Sequence, residues 1–372
     1  MGNSQKRPIV GITGSAGQLG IHCRARLQHQ FGFDIIAADR ASFGNQDWLT
    51  DFAKRADVIV HLAGVNRGTD TEIADGNPAL ADALIAACDA SGSAPDIIYA
   101  SSIHANGDSV YGKSKRLAEE RLEAYCAKAG AQFFNLVLPN LYGEFSKPDY
   151  NNFTGTFCHK IARGETPDIH QNSEMQLMHY GEVADLMGRW VLNRKTGKTE
   201  PRGTTTNVRA VAEKLQGFHD QYSGGVIPDV SDIFDLRLFN MLRQVMFETQ
   251  FPKKLVQHTD DRGAFFECVR ANGTGQTSVS TSVPGITRGD HFHFNKVERF
   301  LVLAGQAKIS VRPIYQDKVF TFDVSGDVPN IVDMPTMYTH NITNTGDNEL
   351  MTLFWSNDLF DPDNPDTYAE LV

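Results

Sequence analysis

The sequence predicts two domains of different fold class, an α/β domain with a doubly wound parallel sheet followed by an all-β barrel. Its 372 residues exceed the usual size of one domain. Up to about residue 245, short β-rich apolar runs alternate with longer helical patterns. From about residue 250 the pattern changes to alternating strands separated by Gly, Pro, Asn and Asp. We therefore expect a tail at residues 1–7, an α/β domain at 8–248 and a barrel domain at 249–372.

Composition restricts the class of ligand. Apolar residues make up 41% and charged residues 22% of the chain, which is typical of a globular protein with a sizeable core. The net charge of −10 argues against binding to nucleic acid or to an anionic membrane by charge alone, so a small molecule is the expected partner. No apolar run reaches the roughly 18 residues that a membrane helix requires. The five cysteines are scattered without a C-x-x-C pair, which favours a reducing cytoplasm.

Five apolar segments predict the strands of the α/β domain. They are PIVGIT, FDIIAA, DVIVHLAG, PDIIYASS and QFFNLVLP. Longer helical patterns lie between them, which is the order of elements in a parallel sheet built from βαβ units. The carboxyl ends of parallel strands meet at one edge of the sheet, so we expect the functional residues to gather there.

The first strand leads into a glycine-rich turn, TGSAGQLG. Gly14, Gly17 and Gly20 are spaced as G-x-x-G-x-x-G before an expected helix, and glycines there let backbone N–H groups approach a pyrophosphate closely. Asp39 follows the next strand at the distance where a ribose hydroxyl is bound, which favours NAD. The adjacent Arg40 is suited to the 2′-phosphate of NADP, although a solvated surface charge is the alternative. This is the turn of a Rossmann-type dinucleotide site.

A possible catalytic group follows the fourth strand. Tyr111 and Lys115 are four residues apart at the start of an amphipathic run and share one face of the expected helix. We expect Lys115 to lower the pKa of Tyr111, so that Tyr111 can pass a proton to a carbonyl oxygen near neutral pH. Ser102 ends the strand PDIIYASS, where its hydroxyl can bond the same oxygen.

Together these motifs resemble an extended short-chain dehydrogenase/reductase over residues 8 to about 245. The resemblance rests on the glycine pattern, HLAG, the strand-end Ser102 and the Y-x-x-x-K pair. It implies that Ser102, Tyr111 and Lys115 are catalytic and that Tyr111 and Lys115 also contact the cofactor. Asn77, His61 and His179 fall where this family lines its clefts, but we expect a structural role for the two histidines.

The second region contains the pattern of a metal site. His291 and His293 are two residues apart and point to one side of an expected strand, Glu298 follows after a turn, and His340 comes from a later strand. Three imidazoles and one carboxylate suit zinc or another borderline divalent ion, with a position left for water or substrate. The expected ligand set is therefore His291, His293, Glu298 and His340.

This spacing resembles the two motifs of a cupin. The first motif, G-x5-H-x-H-x4-E-x6-G, is complete between Gly285 and Gly305, whereas Met337 stands where the second usually has Gly. A cupin that keeps its histidines without a metal is the alternative. DRGAFFE and TRGDH are similar to nucleotide-linked 4-keto-6-deoxyhexose epimerases, and Arg262 and Arg288 could clamp a diphosphate or form ordinary structural ion pairs.

Taken together, the chain resembles the bifunctional UDP-4-keto-6-deoxyhexosamine C3-epimerase/C4-reductases of capsular polysaccharide and O-antigen synthesis. The stretches that carry this resemblance are HLAGVNR, YGKSK, PNLYG, KPDYNN, TFCHKIAR, DDRGAFFE and FDPDNPDTY. It implies a UDP-linked 2-acetamido-2,6-dideoxy-4-hexulose that is epimerised at C3 in the cupin and reduced at C4 in the reductase domain, on the route to UDP-N-acetyl-L-fucosamine. It also implies NADPH as the cofactor, in agreement with Arg40 and against Asp39.

The sequence leaves the C3 base and the overall function open. The base that removes the C3 proton could be Tyr338, Lys296 or Glu267, since His291 is expected to bind metal. Two other functions compete with the bifunctional enzyme. One is a nucleotide-sugar 4-ketoreductase with a structural cupin, and the other is a non-catalytic redox or ligand sensor, which the Ser102, Tyr111 and Lys115 set disfavours. We also expect a cytoplasmic homodimer that binds neither nucleic acid nor membrane.

Overall fold

The structure is a computed structural model and describes residues 7–150, 152–261 and 263–372. Most of the expected tail, residues 1–6, lies outside the described residues, as does Arg262. The described residues form two compact units. One comprises the chain up to Gly143 together with Glu174–Thr206, and the other comprises Glu144–Ser173 together with Asn207–Val372. No helix of the described residues is both long and apolar enough to cross a membrane.

The first half of the chain alternates strands and helices as expected. The strands, in chain order, are β1 (Ile9–Thr13), β2 (Asp34–Ala38), β3 (Val58–His61), β4 (Asp96–Ser102), β5 (Phe133–Leu138), β6 (Asn140–Tyr142), β7 (Glu174–His179), β8 (Gly197–Thr199) and β9 (Thr204–Asn207). The helices are α1 (Gln18–Ala25), α2 (Gln46–Arg55), α3 (Asp70–Ser91), α4 (Val110–Ala129), α5 (Phe153–Ala162), α6 (Tyr180–Asn193), α7 (Val208–Ser223) and α8 (Ile233–Gln250).

Six of these strands form one parallel sheet with the order β2-β1-β3-β4-β5-β8. Its strands are apolar on both faces because both faces are covered by helices. Val58 and Val60 pack into one apolar cluster, and Ile59 between them packs into another on the opposite face. The expected doubly wound Rossmann-type fold is therefore confirmed, and the carboxyl ends of β1, β2 and β4 carry the residues singled out in the sequence.

The last third of the chain is antiparallel β-structure. Its strands are β10 (Lys253–Lys254), β11 (His258–Asp260), β12 (Gly263–Phe265), β13 (Gln276–Ser282), β14 (Thr287–Phe292), β15 (Glu298–Ala304), β16 (Gln306–Pro313), β17 (Phe320–Ser325), β18 (Asn330–Met334), β19 (Tyr338–Asn344), β20 (Leu350–Ser356) and β21 (Tyr368–Ala369). Among the described residues α8 is the last helix, in agreement with the expected change of pattern near residue 250.

Two five-stranded sheets build this region, with the orders β10-β18-β15-β20-β13 and β17-β16-β19-β14-β21. Their inner residues, such as Phe300, Val311 and Ile342, form one apolar cluster, as expected of a cupin barrel. Helix α8 contributes Phe247 to the same cluster and belongs to the same compact unit. The two compact units are defined by which residues pack together in space. The domain boundary at 248/249 is defined by the change of sequence pattern, and it remains a prediction.

Candidate active site and metal centre

The glycine-rich turn joins β1 to α1 and has the geometry of a dinucleotide-binding turn. Gly14 has φ +66°, a left-handed conformation that glycine adopts without strain. A Cβ on Gly20 would lie 2.2 Å from the Gly14 carbonyl oxygen, so only glycine lets α1 start this close to the turn. Helix α1 has neither a side-chain cap nor an acidic residue in its first turn. Its first N–H groups and its helix dipole therefore suit a phosphate group, so the turn fits a nicotinamide dinucleotide.

Asp39 and Arg40 lie just past the end of β2, and both are exposed. The Asp39 carboxylate accepts hydrogen bonds from the Ser42 backbone N–H at 3.0 Å and from the Ser42 hydroxyl at 2.9 Å. These bonds hold the pKa of Asp39 below its ordinary value. Sequence reasoning missed Ser42, although an Asp three residues before a Ser is a common turn pattern. Part of the hydrogen-bonding capacity of Asp39 is thus used within its own turn.

Helix α4 is fixed against β4 by hydrogen bonds along its length. The Tyr99 hydroxyl donates to the Lys115 carbonyl at 3.1 Å, and the Lys115 ammonium donates to the Ala100 carbonyl at 2.6 Å. Further along, the Ser101 hydroxyl donates to the Glu119 carboxylate at 3.1 Å. The helix begins at a Ser109 cap, whose side chain accepts from the Gly112 N–H, so Tyr111 lies in its first turn.

The structure brings Ser102 and Tyr111 to the same end of the sheet through His104. The His104 N–H donates to the Ser102 hydroxyl at 3.3 Å, and the His104 ring lies 6.3 Å from the Tyr111 ring. A Cβ on Gly112 would lie 2.1 Å from the His104 carbonyl oxygen, so a larger residue there would push α4 away from this turn. Ser102 and Tyr111 are both half-buried, which leaves part of each side chain accessible to a ligand.

The electrostatics of this group differ from one expectation. Burial raises the pKa of Tyr111 above its ordinary value, whereas the sequence argument expected Lys115 to lower it. The physical reason is that the Lys115 ammonium is directed at the Ala100 carbonyl and over the Tyr99 ring, 4.2 Å from its centroid. Burial lowers the pKa of Lys115 to about 7, and Glu119 acts weakly in the opposite direction. Tyr111 is thus held as a protonated phenol, which is the form that donates a proton.

Three further residues of this unit have structural roles. The buried Asn77 side chain bonds the Val65 backbone and donates to the Ser114 hydroxyl at 2.9 Å, which ties α3 to α4 and to the loop after β3. The ring nitrogen Nδ1 of His61 lies 2.9 Å from the Thr13 hydroxyl, and burial lowers the pKa of His61 to about 3. His179 caps α6, and its Nδ1 accepts from a backbone N–H at 3.1 Å.

The four expected metal ligands converge inside the barrel. His291 lies on β14, His293 directly follows that strand, Glu298 begins β15, and His340 lies on β19 opposite His291. Their ligand atoms all lie within 4.8 Å of one another. The Glu298 carboxylate is 3.0 Å from Nε2 of His293 and 3.4 Å from Nε2 of His340. Donor atoms around a tetrahedral zinc ion lie about 3.4 Å apart, so this set is close to a zinc geometry.

Hydrogen bonds on the far side of two rings decide which nitrogen faces the centre. Nδ1 of His293 lies 2.6 Å from the Asp366 carbonyl, and Nδ1 of His340 lies 3.1 Å from the Tyr338 carbonyl. A carbonyl only accepts, so each Nδ1 carries a proton, and in its neutral form each ring turns an Nε2 lone pair inward. Both Nε2 atoms are buried and make no hydrogen bond of good geometry, despite the short distances to Glu298. Lone pairs and a carboxylate facing one point fit a divalent cation.

The charges around the centre agree with this interpretation. Burial lowers the pKa of His291 to about 4, with His340 and His293 acting in the same direction. Burial alone would raise the pKa of Glu298, whereas a proton on the neighbouring His293 or His340 ring lowers it well below its ordinary value. His291 is therefore neutral and Glu298 ionised near neutral pH, which are the forms that bind metal.

The departure of the second cupin motif has a local explanation. Met337 occupies the position where glycine is usual, and its φ is +60°. Its N–H donates to the His293 carbonyl at 2.8 Å, and its side chain is buried. The left-handed conformation that normally calls for glycine is thus retained by a methionine, stabilised by packing and by this hydrogen bond.

The candidates for the C3 base and for diphosphate binding lie in different surroundings. Tyr338 is buried in the apolar cluster, and burial raises its pKa. The Lys296 ammonium donates to the Pro365 carbonyl at 2.7 Å. Glu267 is exposed, and its carboxylate lies 3.9 Å from the Arg270 guanidinium. Arg288 donates to the Ser282 hydroxyl at 2.8 Å and to the Thr281 carbonyl at 3.1 Å, which are uncharged partners and do not form the ion pair of its structural alternative.

Comparisons with known proteins agree with the two-part architecture. Residues 10–207 match the NAD dependent epimerase/dehydratase family, and residues 258–368 match the polysaccharide biosynthesis C-terminal domain. The chain is 34% identical over 367 residues to UDP-2-acetamido-2,6-beta-L-arabino-hexul-4-ose reductase of Pseudomonas aeruginosa, covering 97% of this chain and 98% of that protein.

Comparisons with solved structures also indicate this two-part architecture. The capsular polysaccharide assembling protein CapF of Staphylococcus aureus is 33% identical with a TM-score of 0.63, covering 98% of this chain and 100% of that one. UDP-N-acetylglucosamine 4-epimerase of Bacillus cereus is 19% identical with a TM-score of 0.53, covering 66% of this chain and 97% of that one, a likeness of fold alone. The chain is therefore an enzyme of the NAD dependent epimerase/dehydratase family, with a cupin-type C-terminal domain added to its nicotinamide-cofactor fold.

Proposed function

We propose that the chain is an NADPH-dependent reductase and epimerase that acts on a UDP-2-acetamido-2,6-dideoxy-4-hexulose. The reductase domain would reduce C4, and the cupin domain would epimerise C3, towards UDP-N-acetyl-L-fucosamine for capsule or O-antigen. The observation that carries the reduction is the Ser102, Tyr111 and Lys115 group at the carboxyl end of β4, in a chain aligned over almost its full length with a UDP-hexulose reductase.

The reduction requires a proton donor and a hydride donor on the same carbonyl group. A bound nicotinamide cofactor supplies the hydride to C4. The Tyr111 phenol, which burial keeps protonated, gives its proton to the C4 oxygen. The Ser102 hydroxyl donates a hydrogen bond to the same oxygen and so stabilises the negative charge that develops there. Lys115, whose pKa burial lowers to about 7, would bind the cofactor ribose, while its bond to the Ala100 carbonyl holds α4 against β4.

The epimerisation would use the metal centre. The 4-keto group makes the C3 proton acidic, so that a base beside the centre would take it. His291, His293, Glu298 and His340 would hold a divalent metal, whose positive charge would stabilise the resulting enolate oxygen. Zinc suits three imidazoles and one carboxylate. Elemental analysis of protein purified without chelator tests this proposal. We expect one zinc per chain, and much less in His293→Ala, while a metal-free wild type contradicts it.

Product analysis tests the function as a whole. The protein is incubated with the UDP-4-keto-6-deoxy amino sugar and either NADPH or NADH, and the products are identified by NMR. We expect oxidation of the cofactor together with inversion at C3 and a hydroxyl group at C4. A product reduced at C4 with C3 unchanged supports the second candidate, a 4-ketoreductase with a structural cupin, which the name of the Pseudomonas relative favours because it mentions only reduction.

The remaining parts of the proposal concern the protein in the cell. We place the enzyme in the cytoplasm, where nucleotide sugars and NADPH are available, and the five cysteines are all free thiols. We propose a homodimer, which sedimentation of the purified protein tests directly. A monomer at micromolar concentration would contradict it.

A further inference from the structure

We infer that Asp366 is a positioning residue of the metal centre, and this inference rests on the proposed metal-binding function. Asp366 lies between the last residues of β20 and the short strand β21, within FDPDNPDTY. It is not a metal ligand. It contacts both His293 and the turn that joins His293 to Glu298, so it connects two of the four ligands.

The carboxylate of Asp366 fixes the turn. One oxygen accepts a hydrogen bond from the Phe294 N–H at 3.1 Å, and the other accepts from the N–H groups of Asn295 at 2.8 Å and Lys296 at 3.0 Å. These are three successive backbone donors between His293 and Glu298. A carboxylate that accepts several N–H bonds is a strong acceptor, and its removal takes this acceptor away from all three donors. The Asp366 side chain therefore helps to set the spacing of the two ligands, together with Asn357, which accepts from the Val297 N–H.

The backbone of Asp366 fixes the ring of His293. The Asp366 carbonyl accepts from Nδ1 of His293 at 2.6 Å, which assigns the proton to Nδ1 and turns Nε2 towards Glu298. A hydrogen bond of this kind orients a ligating imidazole and raises its basicity. The same residue thus helps to set the separation of two ligands with its side chain and the orientation of one of them with its carbonyl group.

The segment that carries Asp366 is itself aligned with the ligand strand. Strand β21 pairs with β14 so that Ala369 lies opposite His291 and Tyr368 opposite Phe292. The Glu370 N–H donates to the Asp290 carbonyl at 2.9 Å. Asp366 has φ +43°, a left-handed conformation that Asp and Asn adopt more readily than other side chains. An asparagine therefore keeps the backbone and the carbonyl while removing the charge and one of the acceptor oxygens.

Cobalt(II) binding tests the inference, with Asp366→Asn as the variant and Asp363→Asn as its matched control. Asp363 lies three residues earlier in the same acidic segment and is exposed. Each chelator-treated protein is titrated with cobalt(II) in competition with a chromophoric chelator, and the visible absorption of bound cobalt is recorded. We expect Asp366→Asn to bind cobalt about 10- to 100-fold more weakly than wild type, the range found when such outer partners are lost. Its cobalt spectrum should also change, whereas Asp363→Asn should match wild type in both.

The outcomes separate this inference from the proposal on which it rests. If wild type binds cobalt and Asp366→Asn binds it equally tightly with the same spectrum, Asp366 does not position the ligands although the metal site stands. If wild type binds no cobalt, the metal centre itself fails and the inference with it. Equal thermal melting of the two variants without metal shows that a loss of affinity is not a loss of folding.

A second measurement needs no variant and covers the case in which Asp366→Asn does not fold. Amide hydrogen exchange is followed in wild type with and without cobalt(II). If Asp366 couples the turn to the ligands, cobalt should slow exchange at the N–H groups of residues 294–296, because their partner is then held in place. Unchanged exchange at these three residues in the presence of bound cobalt overturns the inference.

Discussion

At the scale of single residues, we expect cofactor choice to depend on two neighbours with opposite preferences. The Asp39 carboxylate accepts two hydrogen bonds from Ser42, whereas Arg40 beside it is exposed. An acidic residue at this place favours the ribose hydroxyl of NAD, and a guanidinium favours the 2′-phosphate of NADP. The local turn thus uses part of the hydrogen-bonding capacity of the Asp39 carboxylate. These bonds do not involve the Arg40 guanidinium, so they do not prevent it from binding a phosphate.

We predict that Arg40→Ala lowers kcat/KM for NADPH by about 10- to 100-fold and leaves the value for NADH almost unchanged. The reason is the loss of one charge-assisted hydrogen bond to a phosphate, about 1.5–3 kcal/mol. Steady-state kinetics with both cofactors measures it. Arg55→Ala is the control, since Arg55 forms only an exposed pair with Asp51 one helical turn away. A wild type that prefers NADH would contradict the assignment and favour Asp39.

A second residue-scale prediction concerns His61, whose buried ring has a pKa of about 3. In the unfolded chain a histidine has a pKa near 6.5, so between about pH 6.5 and 3 the unfolded state binds more protons than the folded state. Stability is therefore lost as the pH falls through this window. Replacing His61 by Asn, which keeps an acceptor near the Thr13 hydroxyl, should remove this part of the acid sensitivity.

Urea unfolding between pH 7 and 4, followed by tryptophan emission, measures this effect. The difference in unfolding free energy between wild type and His61→Asn should change by up to about 1.4 kcal/mol per pH unit. His170→Asn, at an exposed histidine, is the control and should run parallel to wild type. Parallel behaviour of His61→Asn would show that His61 is not held neutral by burial.

At the scale of elements, the β1–α1 turn depends on close approach. A Cβ on Gly20 would lie 2.2 Å from the Gly14 carbonyl oxygen and 2.8 Å from the Cα of Ser15, and neither backbone atom can move away alone. We predict that Gly20→Ala displaces α1 and weakens NADPH binding at least tenfold, because the helix N-terminus no longer faces the phosphates. Fluorescence titration with NADPH measures it.

The matched control for this turn is Gly197→Ala. Gly197 lies in the same compact unit, and a Cβ there has nothing within 4 Å. It should bind NADPH as wild type does. If Gly20→Ala also binds normally, the turn tolerates a wider separation between β1 and α1 than the geometry indicates.

Most helices, strands and candidate metal ligands were predictable from the sequence. The hydrogen-bond partners that fix the functional side chains were not. The period of apolar residues fixes strands and helices, and strand alternation places His291 and His293 on one side. A hydrogen bond between residues far apart in the chain leaves no periodic signal. The bond from Lys115 to the Ala100 carbonyl is such a case, and it overturned the expected lowering of the pKa of Tyr111.

The candidate metal centre also has contacts that the sequence alone does not predict. The cupin spacing predicted that four candidate ligands lie together, and the structure brings them together. Asp366 lies 68 residues after Glu298 and was visible in the sequence only as part of an Asp- and Pro-rich stretch. Met337 departed from the expected glycine, and the sequence could not show that a methionine keeps the left-handed turn. Packing and hydrogen bonds decide such positions, and they depend on the folded chain as a whole.

At the scale of the whole molecule, the residues of the two proposed chemistries lie in two different compact units. Tyr111 belongs to the unit that contains the parallel sheet, and His291 belongs to the unit that contains the barrel. The family models place Tyr111 and His291 in different domains as well, although residues 144–173 match the first model and belong to the second unit. The models leave residues 208–257 unassigned, so the domain boundary at 248/249 stays a prediction. The division predicts that each activity can be removed without the other.

Proton exchange at C3 needs no hydride, and hydride transfer to C4 needs no enolate. Tyr111→Phe should therefore lower NADPH oxidation by about 10²- to 10⁴-fold, the usual contribution of a general acid, while deuterium uptake from heavy water at C3 continues. His291→Ala should abolish that uptake yet still bind NADPH, and its reduction should be slow because the epimerised substrate is missing.

Mass spectrometry of the recovered sugar and the absorbance of NADPH measure the two activities. Tyr125→Phe, further along α4, and His258→Ala, on the exposed strand β11, are the matched controls. If uptake survives His291→Ala but disappears in Tyr111→Phe, epimerisation belongs to the reductase domain, because exchange at C3 would then depend on the Tyr111 hydroxyl and not on the metal centre.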